Sequence, residues 1–247
     1  MMSTAPSFLT SVSAKPSSTG TASVLSTDEP RIALIHATAL AISPIQNAFE
    51  RLWPEASLTN LLVDSLSLDH AKNNGVLTSA MVQRFVDLAQ YVKGCGADAI
   101  LFTCSAFGPA IEVAAREVSI PTLKPNQAMF EEALRLAPSY RNKLALIATF
   151  EPSLAPMCAE FAAHLGAPVL VPHFVPEAMG FLAKGQEAEH HHLIAKEVAT
   201  LSNEPLILLA QFSMAAAHSE VSRLTKRTVL TSPDCAVSAL KTIFHPH

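Results

Sequence analysis

The chain has 247 residues, 49% of them apolar and 15% charged, with a formal net charge of −4 and a sequence pI near 6.2. Such a length and apolar content fit one large or two small globular domains with a sizeable core and exclude an intrinsically disordered chain. An acidic balance without a basic stripe leaves nucleic acid no surface to bind, and no apolar run reaches the roughly 18 residues of a membrane span.

Residues 1–29 are rich in Ser, Thr, Ala and Pro, show no periodicity, and read as a disordered extension. Lys15 is the single basic residue before Arg31, which gives little support to an Arg-rich mitochondrial presequence, and no secretory apolar segment is present. The four cysteines form no Cys-x-x-Cys pair and no disulfide-like framework, which points to a reducing, cytoplasmic compartment.

From Arg31 onward strands and helices alternate. Short apolar runs predict strands at 31–36, 58–63, 98–103, 143–149, 168–172, 205–210 and 227–230. Amphipathic periodicity predicts helices at roughly 44–53, 78–94, 109–118, 126–137, 152–165, 186–202, 214–225 and 233–243. Pro44, Pro109, Pro152 and Pro233 fall near helix starts, where a missing N–H costs nothing. Thr78 and Asn126 read as N-caps. Met81, Phe85, Leu88, Ala89 and Val92 share one face of their helix, suited to core or to the surface of a homodimer. This alternation predicts βαβ units and mainly parallel sheet.

The stretch 98–109, DAILFTCSAFGP, concentrates the chemistry. A buried strand ends at a thiol and a hydroxyl, and Gly108-Pro109 opens a helix. In open α/β sheets the carboxyl ends of strands face the ligand crevice, and helix N-termini favour anions. Cys104 therefore stands beside a carboxylate- or phosphate-binding turn, although free cysteines also pack as small hydrophobes.

Comparison of the chain with itself reveals two similar halves. Arg31-Ile-Ala-Leu-Ile35 matches Lys143-Leu-Ala-Leu-Ile147 at an offset of 112 (143 − 31). Ile100 to Ser105 lines up with Ile207 to Phe212, and Leu123 to Asn126 with Leu230 to Pro233, both at an offset of 107 (207 − 100 and 230 − 123). Two α/β lobes, each a mainly parallel sheet flanked by helices, are expected to face each other across a cleft with pseudo-two-fold symmetry. The first lobe is expected to comprise 30–125 plus 231–247 and the second 126–230. Cys104 and Gln211 then take quasi-equivalent places on opposite walls.

The strand-Cys-Ser-helix turn at Cys104, the Ala148-Thr149 turn at 148–153 and the duplicated order resemble the aspartate/glutamate/hydantoin racemases, with arylmalonate decarboxylases and maleate isomerases as relatives. Ile35-His36-Ala37-Thr38 and the ILFTCSAFGP run are most similar to the branch related to hydantoin racemases. The resemblance implies cofactor-free chemistry at a carbon next to a carboxylate or hydantoin carbonyl, with no metal. In the family's racemases one cysteine on each wall transfers the proton. Cys104 matches the first. The second falls at Gln211, in Ala210-Gln211-Phe212-Ser213, where the family usually shows Gly-Cys-Thr. A carboxamide cannot relay a proton, so a one-thiol reaction such as decarboxylation becomes the alternative, and a non-catalytic binder of small carboxylates a further one. The decarboxylases resembled here also use one cysteine, but on the other wall.

Residue by residue, Cys104 is the expected proton carrier, its pKa drawn toward working pH by the helix N-terminus. His36 is expected to orient the thiolate, act as a second base or bind substrate, and equally suits a satisfied core position. Thr38 ends the same strand. Ser105 and the N–H groups of Ser105 and Ala106 could hold a carboxylate and stabilise an enediolate, or cap the helix. The resemblance places substrate carboxylate at Thr149 and Ser153, with Phe150 shaping the pocket. Gln211, Phe212 and Ser213 are expected to line it. Lys124 could pair with a substrate carboxylate or form a structural salt bridge. Cys235 reads as core. His190, His191 and His192 point roughly 100° apart on a helix and so do not face one ion together.

Overall fold

A parallel strand buried on both faces must be apolar throughout, and AILF and LILL at the centres of the two sheets meet that condition. The computed structural model describes residues 29–141 and 143–246. The disorder expected of 1–29 thus falls, Glu29 apart, outside the described residues.

The elements of the first half are β1 (Arg31–His36), α1 (Ile42–Leu52), β2 (Ser57–Leu62), α2 (Ser65–Lys72), α3 (Ser79–Gly94), β3 (Ala99–Phe102), α4 (Gly108–Val118), β4 (Thr122–Leu123) and α5 (Gln127–Leu136). The second half holds β5 (Leu144–Ala148), α6 (Leu154–Ala162), β6 (Leu170–Phe174), α7 (Ala178–Ala183), α8 (Glu187–Thr200), β7 (Leu206–Leu209), α9 (His218–Thr225), β8 (Thr228–Thr231) and α10 (Ser232–Phe244).

The strands form two four-stranded parallel sheets of identical order, β2-β1-β3-β4 and β6-β5-β7-β8. Their registers are the same: Ala33 pairs with Ile100 and Ile100 with Thr122, as Ala145 pairs with Ile207 and Ile207 with Val229. The offsets of 112 and 107 found in the sequence are these registers. Helices α4 and α9 even end alike, on left-handed residues 107 positions apart, Ser119 (φ 55°) and Lys226 (φ 57°). Each sheet is covered on both faces, giving two α/β lobes. Among the described residues no helix is long and apolar enough to cross a membrane.

The lobes exchange helices. α5 follows β4 of the first sheet, yet Met129, Phe130 and Ala133 pack under β5 and β7 of the second, with Phe130 edge-on to Phe161 at 5.4 Å. α10 follows β8, yet Ala236, Val237 and Leu240 pack under β1 and β3 beside α1. There Arg51 meets Asp234 at 2.6 Å and Trp53 lies 5.9 Å from Phe244. Phe212 also crosses over: it leaves the end of β7 and is buried among Ile32, Leu34 and Ile45.

The structure corrects several expected boundaries. α2 and α7 were not expected, because neither shows a long apolar stripe. The helix expected at 214–225 is a 3-10 segment from Phe212 to Ala217 and becomes α-helical at His218. β6 lies two residues later than 168–172, since α6 ends at Ala162 and a turn intervenes. Thr78 caps α3 as expected, its hydroxyl accepting from Met81 N at 3.2 Å. Asn126 precedes α5 without capping it, because its side-chain oxygen accepts from Ser232 Oγ at 3.0 Å where the two inter-lobe crossings meet.

Of the three consecutive histidines, His190 turns into the core beside Ile194 while His192 lies 3.3 Å from Glu220. Among the described residues no three His, Cys, Asp or Glu side chains converge on a point that could hold a metal. Burial, aided by neighbouring His191, pulls the His190 pKa down to about 4.

Two outcomes follow from this packing. Phe212→Ala is expected to lower stability by about 3–5 kcal/mol, as for other buried Phe truncations, read from urea unfolding. Below about pH 6.5 the unfolded chain protonates His190 while the folded chain does not until about pH 4. Its contribution is therefore complete above about pH 6.5 and declines toward pH 4, and His190→Leu is expected to shrink that decline in urea midpoints measured across the interval.

Candidate functional site

In each parallel sheet the central strands end on one edge, and most of the expected site residues lie at or just beyond those ends. β3 ends at Phe102 and β7 at Leu209, so Cys104 and Gln211 each stand two residues beyond the equivalent strand. Thr38 and Phe150 bear the same relation to β1 and β5.

Cys104 precedes a 3-10 turn at Ser105–Phe107, in extended backbone, with its side chain half-buried against the apolar layer of α3 and α4. Burial pushes the thiol pKa up, and the Ala106 N–H facing the sulfur offsets this only in part. This reverses the lowering expected from a helix N-terminus. The turn is 3-10 rather than α-helical, one N–H reaches the sulfur, and loss of water outweighs it. Ser105 is half-buried beside Cys104 and Ala106 is exposed.

His36 is fully buried, and both ring nitrogens are taken: Nδ1 lies 2.9 Å from Thr103 Oγ1 and Nε2 lies 3.0 Å from Asn60 Oδ1. An amide oxygen can only accept, so Nε2 carries the proton and Nδ1 accepts from the threonine hydroxyl. Burial lowers the His36 pKa against the opposing bond to Asn60, so the ring stays neutral. Bound in this way it ties β1 to β2 and β3 and has no nitrogen left for substrate or thiolate. Thr38 places its hydroxyl 3.4 Å from Leu40 N, at the start of the short turn Ala39–Ala41.

On the second lobe three expected residues form one network. Thr149 donates to Gln211 Oε1 from its backbone N–H at 3.0 Å and from its hydroxyl at 3.3 Å. Gln211 Nε2 donates to Ser153 Oγ at 2.8 Å, and Ser153 donates onward to the Phe150 carbonyl at 2.7 Å. Thr149 is only 3% exposed, Gln211, Ser153 and Ser213 are half-buried, and Phe150 is 52% exposed. Phe212, expected in a pocket lining, is instead 5% exposed in the first lobe's core, where its ring loses more water than at a wall.

Lys124 is held 2.8 Å from Glu112 of α4 and 2.8 Å from Glu160 of α6, one carboxylate from each lobe. Burial alone would lower its pKa, but the two carboxylates raise it overall. With two protein carboxylates already in contact, Lys124 serves as an inter-lobe clamp, and its expected pairing with substrate gives way to the structural salt bridge. Cys235 packs between the cores of the two lobes, its pKa pushed up to about 12 by burial and by nearby Asp234 and Glu132.

Sequence reasoning missed Asn60, Thr103 and His70. The His70 ring lies 5.0 Å from Phe107, on the turn that carries Cys104, and its Nε2 is buried without a partner among the described residues. Nothing in the sequence marked it, since α2 itself was not read.

Two lobes of identical parallel topology, with Cys104 after a central strand of one and Gln211 after the matching strand of the other, define a duplicated α/β protein of racemase-like fold. The chain belongs to the Asp/Glu/hydantoin racemase family, whose model matches residues 34–240. No curated protein matches it by sequence. Among solved structures it is similar to a glutamate racemase isoform from Bacillus anthracis, with a TM-score of 0.65 and 15% identity over 87% of this chain and 81% of that one. It is also similar to a mutant arylmalonate decarboxylase in liganded form, with a TM-score of 0.62 and 18% identity over 88% and 94%. Allantoin racemase from Klebsiella pneumoniae gives a TM-score of 0.61 and 14% identity over 87% and 88%.

A thiol raised by burial reacts slowly as a nucleophile at neutral pH. Alkylation of Cys104 by iodoacetamide, followed by peptide mapping, is expected to lag behind exposed Cys95 near neutrality and to be still rising above pH 9.

Proposed function

We propose that this protein is an enzyme that transfers a proton, through the Cys104 thiol and without a cofactor, at a carbon alpha to a carboxylate or hydantoin carbonyl. The observation that carries this reading is Cys104 itself: a half-buried thiol at the end of a central parallel strand, in a chain of the Asp/Glu/hydantoin racemase family. Ser105, with its hydroxyl and N–H, and the Ala106 N–H are the donors on that wall able to hold a carboxylate, and they would stabilise the enediolate as charge moves onto the oxygens. A glutamate racemase of this fold from Francisella tularensis is known with D-glutamate bound, which supports a small carboxylate as the ligand class.

Two features favour a second reading, decarboxylation. The thiol stays protonated at neutral pH, poised to give a proton rather than take one. The equivalent position on the other lobe holds Gln211, which cannot exchange protons at neutral pH. In a decarboxylation the C–C bond to the leaving carboxylate breaks, carbon dioxide departs, and the electron pair enters the enediolate. Cys104 then gives its S–H proton to carbon, and the thiolate recovers one from water. Symmetrical racemisation would need a proton carrier on both walls.

Proton NMR in D2O tests both readings with aspartate, glutamate, a 5-substituted hydantoin and phenylmalonate. Loss of an α-proton signal, or release of carbon dioxide, is expected with the native protein. Cys104→Ser is expected to slow it by about 100-fold or more, the scale of a lost general acid–base group. Equal rates in both proteins would overturn the assignment of Cys104.

A further inference from the structure

We infer that Gln211 determines specificity by acting as the resident occupant of the second lobe's oxyanion donors, so that a ligand is anchored through one carboxylate only, on the Cys104 side. This rests on the proposed carboxylate chemistry at the Cys104 turn.

The amide's orientation is fixed by chemistry. The Thr149 N–H can only donate, so the atom 3.0 Å from it must be the Gln211 oxygen. The Thr149 hydroxyl, at 3.3 Å, points a second donor at the same oxygen. Two donors of one nearly buried residue converge on a single acceptor, the arrangement that binds one oxygen of a carboxylate. Gln211 Nε2 meanwhile uses the Ser153 hydroxyl as its acceptor, and that hydroxyl's own proton goes to the Phe150 carbonyl. Remove the carboxamide and two donors are released together, the Thr149 N–H and the Thr149 hydroxyl, while the Ser153 hydroxyl loses the N–H it accepted and keeps its own bond to the Phe150 carbonyl. The two donors lie at the strand end equivalent to Thr38, beside the position equivalent to Cys104. A carboxamide has the shape of a carboxylate, with one oxygen that accepts as a carboxylate oxygen does and an NH2 that donates in place of the other, so Gln211 fills this turn without adding charge. The second lobe is thus satisfied internally, and a second carboxylate on a ligand finds no anchor there.

Isothermal titration of the full chain with phenylacetate, which carries one carboxylate, and glutarate, which carries two, tests the inference. The native protein is expected to bind phenylacetate more tightly. Gln211→Ala is expected to gain about tenfold or more in glutarate affinity from the freed donors, with phenylacetate unchanged. The Thr149 backbone amide resonance is expected to shift with glutarate in Gln211→Ala but not in the native protein. Gln211→Glu keeps an acceptor oxygen against Thr149 and so keeps the turn filled. It is expected to melt near the native temperature and to show no glutarate gain, which separates opening of the donors from damage to the fold. An unchanged glutarate affinity in Gln211→Ala, an equal gain in Gln211→Glu, or a Thr149 shift in the native protein would each overturn the inference. Failure of the carboxylate reading shows up elsewhere, as loss of phenylacetate binding and of Cys104-dependent exchange.

Discussion

The architecture depends on the reciprocal exchange of α5 and α10. A four-stranded parallel sheet must be covered on both faces, and each half of this chain leaves one face short of a helix that the other half supplies. α5 closes the second sheet and α10 the first, while the buried contact between Asn126 and Ser232 joins the two crossings. Phe212 and the Glu112–Lys124–Glu160 clamp add an apolar and an ionic tie across the same joint. The turns that follow β1, β3, β5 and β7 are therefore held by a shared core, and the chemistry at those strand ends inherits its placement from packing far below them.

At Cys104 two physical effects compete, and burial prevails. Helix N-termini stabilise thiolates when several N–H groups face a solvated sulfur. Here a three-residue 3-10 turn brings one N–H to a sulfur set against apolar side chains, so the neutral thiol is favoured. A protonated cysteine suits the closing half of carbanion chemistry, in which carbon must receive a proton. His36, close in sequence terms to the same edge, contributes to architecture instead. Its two nitrogens join three neighbouring strands, and its burial keeps it uncharged.

The two halves share topology, register and even the left-handed ends of α4 and α9, yet their strand-end turns have diverged in chemistry. On the first lobe a thiol follows the central strand, and on the second a carboxamide. That carboxamide bonds to Thr149 and Ser153 of the neighbouring turn, giving the second lobe a closed, proton-inert edge. The duplication thus puts a thiol on one lobe and a hydrogen-bonded carboxamide at the equivalent place on the other, and the turns that follow differ too, Ser105–Phe107 against the longer Phe212–Ala217.

The parallel α/β class, the strand positions other than the two-residue β4 and the shifted β6, the internal duplication and the place of Cys104 after a central strand were legible in the sequence. All of them rest on local patterns: apolar runs of strand length, helical periodicity, and a reactive residue directly after a strand. The short amphipathic α2 and α7 lacked such a pattern, as did His70, Asn60 and Thr103. Tertiary structure decided what local pattern cannot encode. It decided that α5 and α10 trade lobes, that Phe212 enters a core rather than a pocket, and that Lys124 meets carboxylates from both lobes. It also decided that Gln211 turns toward Thr149 and Ser153, and that burial raises Cys104. Each of these depends on which distant segments come into contact, and burial and pairing are properties of the assembled protein rather than of any stretch of chain.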